Sequence, residues 1–254
     1  MNTIFITGAA AGIGRETALL FAANGWRVGL ADRDEAGLAR LAGEIGAAAS
    51  VHVMDVVDPV SVARALVDFT ATTGGRLHVL HNNAGILRIG HFEEMPLADQ
   101  HLLVDINIKG VLNCLHAAFP YLKATPGAQV VNMSSASASY GIPTFATYSA
   151  TKHAVRAITE ALDIEWDRHG IRVTDLAPPF VNTHMVSSQQ FHSKLIDRLG
   201  VNIGPADVAQ DVWKLVQSPS LHREVTLQLR MAWSLSRAMP VRVTRNLMKR
   251  IAGL

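Results

Sequence analysis

Seven short apolar runs alternate with stretches of helical character, and this alternation constrains the fold more than any other feature of the chain. The β-rich runs are TIFIT (3–7), RVGLA (27–31), SVHVM (50–54), LHVLH (77–81), AQVVNM (128–133), IRVTDL (171–176) and EVTLQL (224–229). Helical patterns fill 13–24, 34–45, 59–72, 97–123, 147–169, 184–199 and 205–217. Several runs are continuously apolar rather than alternating, as expected of strands covered on both faces. Strands that alternate with helices predict an α/β protein: a doubly wound parallel sheet of about seven strands with helices on both faces and right-handed crossovers. No linker or internal repeat divides it, so one domain is expected over 1–230, followed by a C-terminal tail, 231–254.

Composition narrows the function classes. Of 254 residues, 49% are hydrophobic and 17% charged, which suits a compact α/β core and argues against disorder. The 23 basic and 21 acidic residues leave a net charge of +2, so no general affinity for nucleic acid is expected. The single cysteine, Cys114, excludes an internal disulfide and reads as packing on a helix face. Eleven histidines show no metal-ligand spacing; His78 and His81 face opposite sides of one strand, and no metal is expected. The chain enters its first strand without a basic leader, and no apolar run approaches a membrane span, so a cytoplasmic location is expected. The tail is the exception to this balance. It carries Arg237, Arg242, Arg245, Lys249 and Arg250 among apolar residues, with Pro240 as an interruption. It reads either as a basic amphipathic helix for a membrane surface or partner, or, as favoured here, as a partly helical tail packed on the domain or a second subunit.

The first strand leads into TGAAAGIG (7–14), a glycine-rich turn opening a helix. In a doubly wound sheet this loop faces the ligand crevice. Gly8, Gly12 and Gly14 would line it, and the helix from Ile13 would aim free N–H groups and its positive dipole end there, a site for a pyrophosphate. Asp32 ends the second strand eighteen residues beyond Gly14, close to the spacing of a carboxylate that binds the adenine ribose hydroxyls. That carboxylate favours NAD over NADP. Arg33 opposes it, since a guanidinium there pairs with a 2′-phosphate.

TGAAAGIG, HNNAG (81–85), the asparagine of DINIKG (105–110) and SSASASYGIPTFATYSATK (134–152) occur in the order found in the short-chain dehydrogenase/reductase family, and the chain resembles its short, single-domain branch from residue 3 to about 217. The resemblance implies a Rossmann-like fold and hydride transfer between a nicotinamide cofactor and an alcohol or carbonyl group. It also implies cofactor contacts: Asp55 and Val56 near the adenine, Asn82, Ala84 and Gly85 beside the cofactor, and Val181 and Thr183 at the nicotinamide amide. One departure stands out. Pro179 occupies a position where the family usually has glycine, removing a backbone donor.

Tyr148 and Lys152 stand at i and i+4, on one face if the segment is helical. A free tyrosine, pKa about 10, is a poor base at neutral pH; a nearby lysine and a positive nicotinamide ring would lower it, letting Tyr148 exchange the hydroxyl proton as general acid/base. Tyr148 and Lys152 are also expected cofactor contacts. By resemblance, Ser135 hydrogen-bonds the substrate oxygen, with Ser134 a possible support, and Asn107 kinks its helix and holds a water that relays protons to Lys152.

Apolar residues near these motifs predict an apolar secondary alcohol or ketone as substrate. Tyr140, Phe145 and Met185 are the candidate walls beside Ser135 and Tyr148, with Leu87 to Phe92 as another. By resemblance, helices 97–123 and 147–169 pair subunits into a homodimer or homotetramer. The alternative to an enzyme is a non-catalytic NAD(P)-sensing or scaffold protein of the same fold, disfavoured because Asn107, Ser135, Tyr148 and Lys152 are all present. A sugar-nucleotide epimerase or dehydratase would need a larger substrate domain after residue 217.

Overall fold

The computed structural model describes the backbone of residues 1–254 and every side chain outside 236–238; Arg237 of the tail therefore lies outside the described side chains. Seven parallel strands form one sheet in the order β3-β2-β1-β4-β5-β6-β7. They are β1 (Thr3–Thr7), β2 (Arg27–Asp32), β3 (Ala49–Val53), β4 (Val79–Asn82), β5 (Gln129–Met133), β6 (Arg172–Ala177) and β7 (His222–Glu224). The strand order reverses between β1 and β4, which opens a crevice at their carboxyl ends.

The alternation of side chains along β1 sorts the core into two layers. Phe5 faces one side, with Leu80, Val130 and Val173 and the helices α3 (Pro59–Ala71), α5 (Gly110–Lys123) and α6 (Ala146–Asp167). Ile4 and Ile6 face the other, with Val28, Leu30 and Val131 and the helices α1 (Gly12–Ala23), α2 (Glu35–Ile45) and α9 (Pro205–Gln217). Local signals set the helix ends: the Asp34 carboxylate accepts from Gly37 N, and Asp58 accepts from Val60 N with Pro59 in the first turn. Cys114, 1% exposed, packs in the Phe5 layer, where burial pushes its thiol up to about 12.

Four stretches differ from the sequence expectation. EVTLQL is not a strand to 229: β7 ends at Glu224, and Thr226 accepts from Leu229 N to start α10 (Leu227–Ala238). A side-chain cap there outweighs the β-like alternation. The 184–199 pattern divides into α7 (His184–Ser187) and α8 (Lys194–Leu199). The tail is more helical than expected, with α11 (Val241–Ala252) starting after Pro240. Finally, 97–123 runs as α4 (Leu97–Val104), a π-helical turn (Asp105–Lys109) and α5. By length and composition this helix could cross a membrane, contrary to the sequence reading, yet Val111, Cys114, Leu115, Ala118 and Leu122 are buried in the core.

A buried histidine makes the fold acid-sensitive. His81 on β4 is fully buried, its Nδ1 lies 3.2 Å from the Val131 carbonyl, and burial holds its pKa at about 4. The unfolded chain binds a proton near pH 6.5 and the folded chain does not until about 4, so stability from this group is complete above 6.5 and falls as pH drops through that window. The loss amounts to about 3 kcal/mol by pH 4. Urea titrations at pH 7 and 4.5 should show His81→Leu losing markedly less stability between the two than wild type. Equal losses would assign the acid sensitivity elsewhere.

Candidate active site

A cavity of about 290 Å³ lies over the carboxyl ends of the central strands. The glycine turn forms one wall: Gly8, Ala11, Gly12 and Ile13 line it. Gly8 has φ +68°, and a Cβ there would stand 2.9 Å from the Ala84 Cα, so both the turn and its neighbour require glycine. Gly14 does not line the cavity as expected. A Cβ on it would meet the Gly8 carbonyl oxygen, so it packs α1 tightly under the turn. The N-cap, Ala11, offers no side-chain acceptor and the first turn holds no acid, so the helix start presents its N–H groups to the cavity.

The Asp32 carboxylate closes the end of β2. Its oxygens accept from Ala10 N and Asp34 N, both at 3.1 Å, which fixes it between this cavity and a second of about 320 Å³. The second cavity shares Gly8, Asp32, Ala84, Gly85 and Ile86 with the first and adds Arg33, Asp55 and Val56. The two together form a crevice with a glycine turn at its middle and a carboxylate to one side.

Asn82 is not where the sequence placed it. Strand alternation turns it inward, where Nδ2 donates to Asn132 Oδ1 at 2.9 Å and Asn132 donates onward to Thr159. Its neighbour Asn83, missed from the sequence, lines the cavity and braces the turn by donating to the carbonyls of Thr7 (2.9 Å) and Gly8 (3.0 Å). The asparagine doublet was the available signal.

Ser135, Tyr148 and Lys152 meet in the same cavity. Lys152 is 6% exposed, donates to the Met133 carbonyl at 2.8 Å and lies 5.7 Å from the Tyr148 ring centre. Burial lowers its pKa to about 8. Burial also raises the Tyr148 phenol, and a hydrogen bond with Ser135 pulls the other way. The protein alone therefore does not lower the phenol as expected from the sequence, because desolvation penalises the phenolate and the lysine is itself desolvated. Ser135 Oγ accepts from Ser137 N at 3.1 Å, while the buried Ser134 hydroxyl, also at the cavity, has no partner among the described residues.

Asn107 stands behind the cavity in the π-helical turn, 1% exposed. It accepts from Ile86 N at 2.8 Å and donates to Ile86 O at 3.0 Å and Thr151 Oγ1 at 3.2 Å. The extra residue in the turn aims this side chain at the 85–87 loop. Val181 and Thr183 reach the cavity despite Pro179, which lines it beside Pro178, Phe180, His184, Met185 and Val186. Phe180 and His184 were not foreseen. Two expected substrate walls are not there. Phe145 is fully buried behind Phe180, with ring centres 5.8 Å apart. Tyr140 lies in the turn beyond a short 3-10 helix (Ala136–Ala138), which leads the chain off before Tyr140 can reach the cavity lining.

These residues fit a nicotinamide dinucleotide: capless helix N–H groups at the glycine turn and a fixed carboxylate beside it. The short chain dehydrogenase family matches residues 2–193. Sulfoacetaldehyde reductase 2 of Chromohalobacter salexigens is 34% identical over 92% of this chain and 96% of its own. Cyclohexanol dehydrogenase of Acinetobacter is 32% identical over 82% and 84%. The crystal structure of a 3-ketoacyl-(acyl-carrier-protein) reductase from Brucella melitensis with NADH superposes with a TM-score of 0.79 at 30% identity, covering 88% of this chain and 96% of that one. With the motifs, the sheet order and these relatives in agreement, the chain belongs to the short-chain dehydrogenase/reductase family of oxidoreductases.

Proposed function

We propose that this chain transfers a hydride between NAD and a compact apolar secondary alcohol or ketone, with Tyr148 as general acid/base. The observation that carries this reading is the convergence of Ser135, Tyr148 and Lys152 on one largely apolar cavity, next to a glycine turn with free helix N–H groups. The oxidised cofactor, when bound, supplies the hydride acceptor and a positive ring. Residues of the glycine turn would hold its pyrophosphate, Asp32 its adenine ribose, and Val181 and Thr183 its amide.

The protein's own groups then divide the proton work. With its phenol raised by burial, Tyr148 rests protonated, ready to donate to a carbonyl oxygen held by Ser135. In the oxidative direction the phenol must lose its proton, which the Lys152 ammonium favours electrostatically. Asn107 acts as a positioning residue by fixing Ile86, a cavity wall, to the helix and by reaching Thr151 next to Lys152. Leu87, Met185 and Val186 with Phe180 would hold the substrate's apolar body. A cyclohexanol dehydrogenase among the relatives supports that substrate class. The exposed Leu97, Leu112 and Ile164 on α4, α5 and α6 support pairing of subunits along these helices into a dimer or tetramer.

Titrating the protein with NADH and NADPH, followed by nicotinamide fluorescence, tests the cofactor assignment. NADH should bind tighter, and Asp32→Ala should weaken NADH roughly tenfold or more, the worth of charge-assisted bonds to two hydroxyls, with less effect on NADPH. Equal effects would mean that the carboxylate does not reach the ribose. A preference for NADPH would promote Arg33 as the deciding residue.

A further inference from the structure

The last two helices carry a pattern that hydride transfer does not use. From Leu227 to Leu254 there are six cations, Arg230, Arg237, Arg242, Arg245, Lys249 and Arg250, and no acidic side chain. Since the whole chain carries +2, residues 1–226 carry −4, and the molecule is polarised. Among the described residues, Arg230, Arg242, Arg245, Lys249 and Arg250 form no ion pair.

Helix α10 is apolar on two opposite faces. Leu229 and Trp233 point inward, where the Trp233 ring lies 4.4 Å from the Arg156 guanidinium on α6. Leu227, Met231 and Leu235, each two residues away and so about 200° around the helix, point out, with exposures of 70, 65 and 62%. The Trp233 stack and the Thr226 cap fix the rotation of α10, so this stripe cannot turn inward without breaking both. Helix α11 is held equally firmly. Thr244 is buried, Ile251 packs against the cluster of Leu87, Phe145 and Leu195, and Arg198 donates to the carbonyls of Arg250 and Ile251. Arg242 and Lys249 fall on the face opposite Thr244 and Ile251, Arg245 and Arg250 on its flanks, and all four are exposed to solvent.

We propose that α10 and α11 form a docking surface for an anionic lipid bilayer. Leu227, Met231 and Leu235 would enter the boundary between headgroups and acyl chains, and the unpaired cations would lie over lipid phosphates. A cationic segment with an outward aliphatic stripe and no acids matches the two components of interfacial binding, apolar burial and attraction to anionic headgroups. The negative remainder of the molecule would be repelled, which orients it with the tail toward the membrane. A nucleic acid would satisfy the cations but not the aliphatic stripe, which offers no aromatic face for bases. A second copy would set one acid-free cationic tail against another.

Co-sedimentation of the full-length protein with vesicles of phosphatidylcholine alone, or of phosphatidylcholine with phosphatidylglycerol, decides the matter. The protein should pellet with the anionic vesicles at low salt, remain soluble with the neutral ones, and dissociate as salt rises. Arg242→Gln with Lys249→Gln should cut the partition coefficient roughly fivefold per charge. Leu227→Gln, Met231→Gln and Leu235→Gln together should cut it by roughly a hundredfold or more, with NADH binding retained because all three side chains are exposed. Failure of wild type to pellet with anionic vesicles overturns the proposal, as does pelleting indifferent to lipid charge and salt. So does a lipid-free wild-type oligomer that the triple variant splits, since the stripe would then be a subunit interface. None of these outcomes depends on turnover, so the proposal and the catalytic reading fail separately.

Discussion

Tyr148→Phe is expected to lower turnover by roughly a hundredfold to ten-thousandfold, the range for losing a positioned acid/base, while NADH affinity changes by less than about twofold. The ring is what the structure uses for packing: Tyr148 packs against the cluster formed by Leu87, Phe145 and Leu195, and phenylalanine preserves that packing. The hydroxyl is what the chemistry uses, and Ser135 beside it favours its deprotonated form against the effect of burial. Removing it leaves Lys152 in place, since that ammonium is held by the Met133 carbonyl rather than by the phenol. Stopped-flow reduction of a cyclic ketone, with NADH fluorescence alongside, separates the two readings. If affinity falls in step with turnover, Tyr148 serves the binding of cofactor and another group moves the proton.

The parts of this site that were legible in the sequence are those where a residue type is dictated by its neighbours along the chain. Gly8 and Gly12 answer to backbone conformation, and Tyr148 and Lys152 to one helical turn, so local spacing was enough. Asn82 and Asn83 differ because their roles depend on which side of β4 each faces, and a one-residue shift in where the strand ends exchanges them. The π-helical turn left no periodic signature, since Asp105–Lys109 is as apolar and charged as an ordinary helix would be there. Phe145 and Tyr140 looked like substrate walls by proximity to Tyr148 in sequence, but a turn in which Thr144 adopts φ +65° separates Tyr140 from Tyr148, and Phe145, at the N-cap of α6, is buried against Phe180. The end of the sheet was misjudged for a similar reason: VTLQL alternates as a strand does, while the capping hydroxyl of Thr226 and the inward pair Leu229 and Trp233 follow the helical period. Tertiary contacts decide such cases.

Gly14→Ala is the second change expected to have a large effect, and the helical setting makes the expectation counter-intuitive. Replacing glycine by alanine within a helix ordinarily stabilises it by up to about 1 kcal/mol. At Gly14 the new Cβ would stand 2.2 Å from the Gly8 carbonyl oxygen and 2.6 Å from Asn83 Nδ2. Neither neighbour can yield cheaply. Gly8 is backbone in a left-handed conformation beside Ala84, and Asn83 is tied to the carbonyls of Thr7 and Gly8. The overlap outweighs the propensity gain, and a net loss of about 3 kcal/mol is expected. NADH affinity should fall with it, because relief requires the turn that carries the helix N–H groups to move. Gly43→Ala supplies the contrast, since Gly43 lies within α2 with open space around its would-be Cβ. Thermal melts of the two variants should move in opposite directions, down for Gly14→Ala by roughly 6 °C or more and level or up for Gly43→Ala. If Gly14→Ala melts with wild type and binds NADH as tightly, the turn is not packed as tightly as this geometry requires, and the close fit of α1 beneath it is not what shapes the nucleotide site.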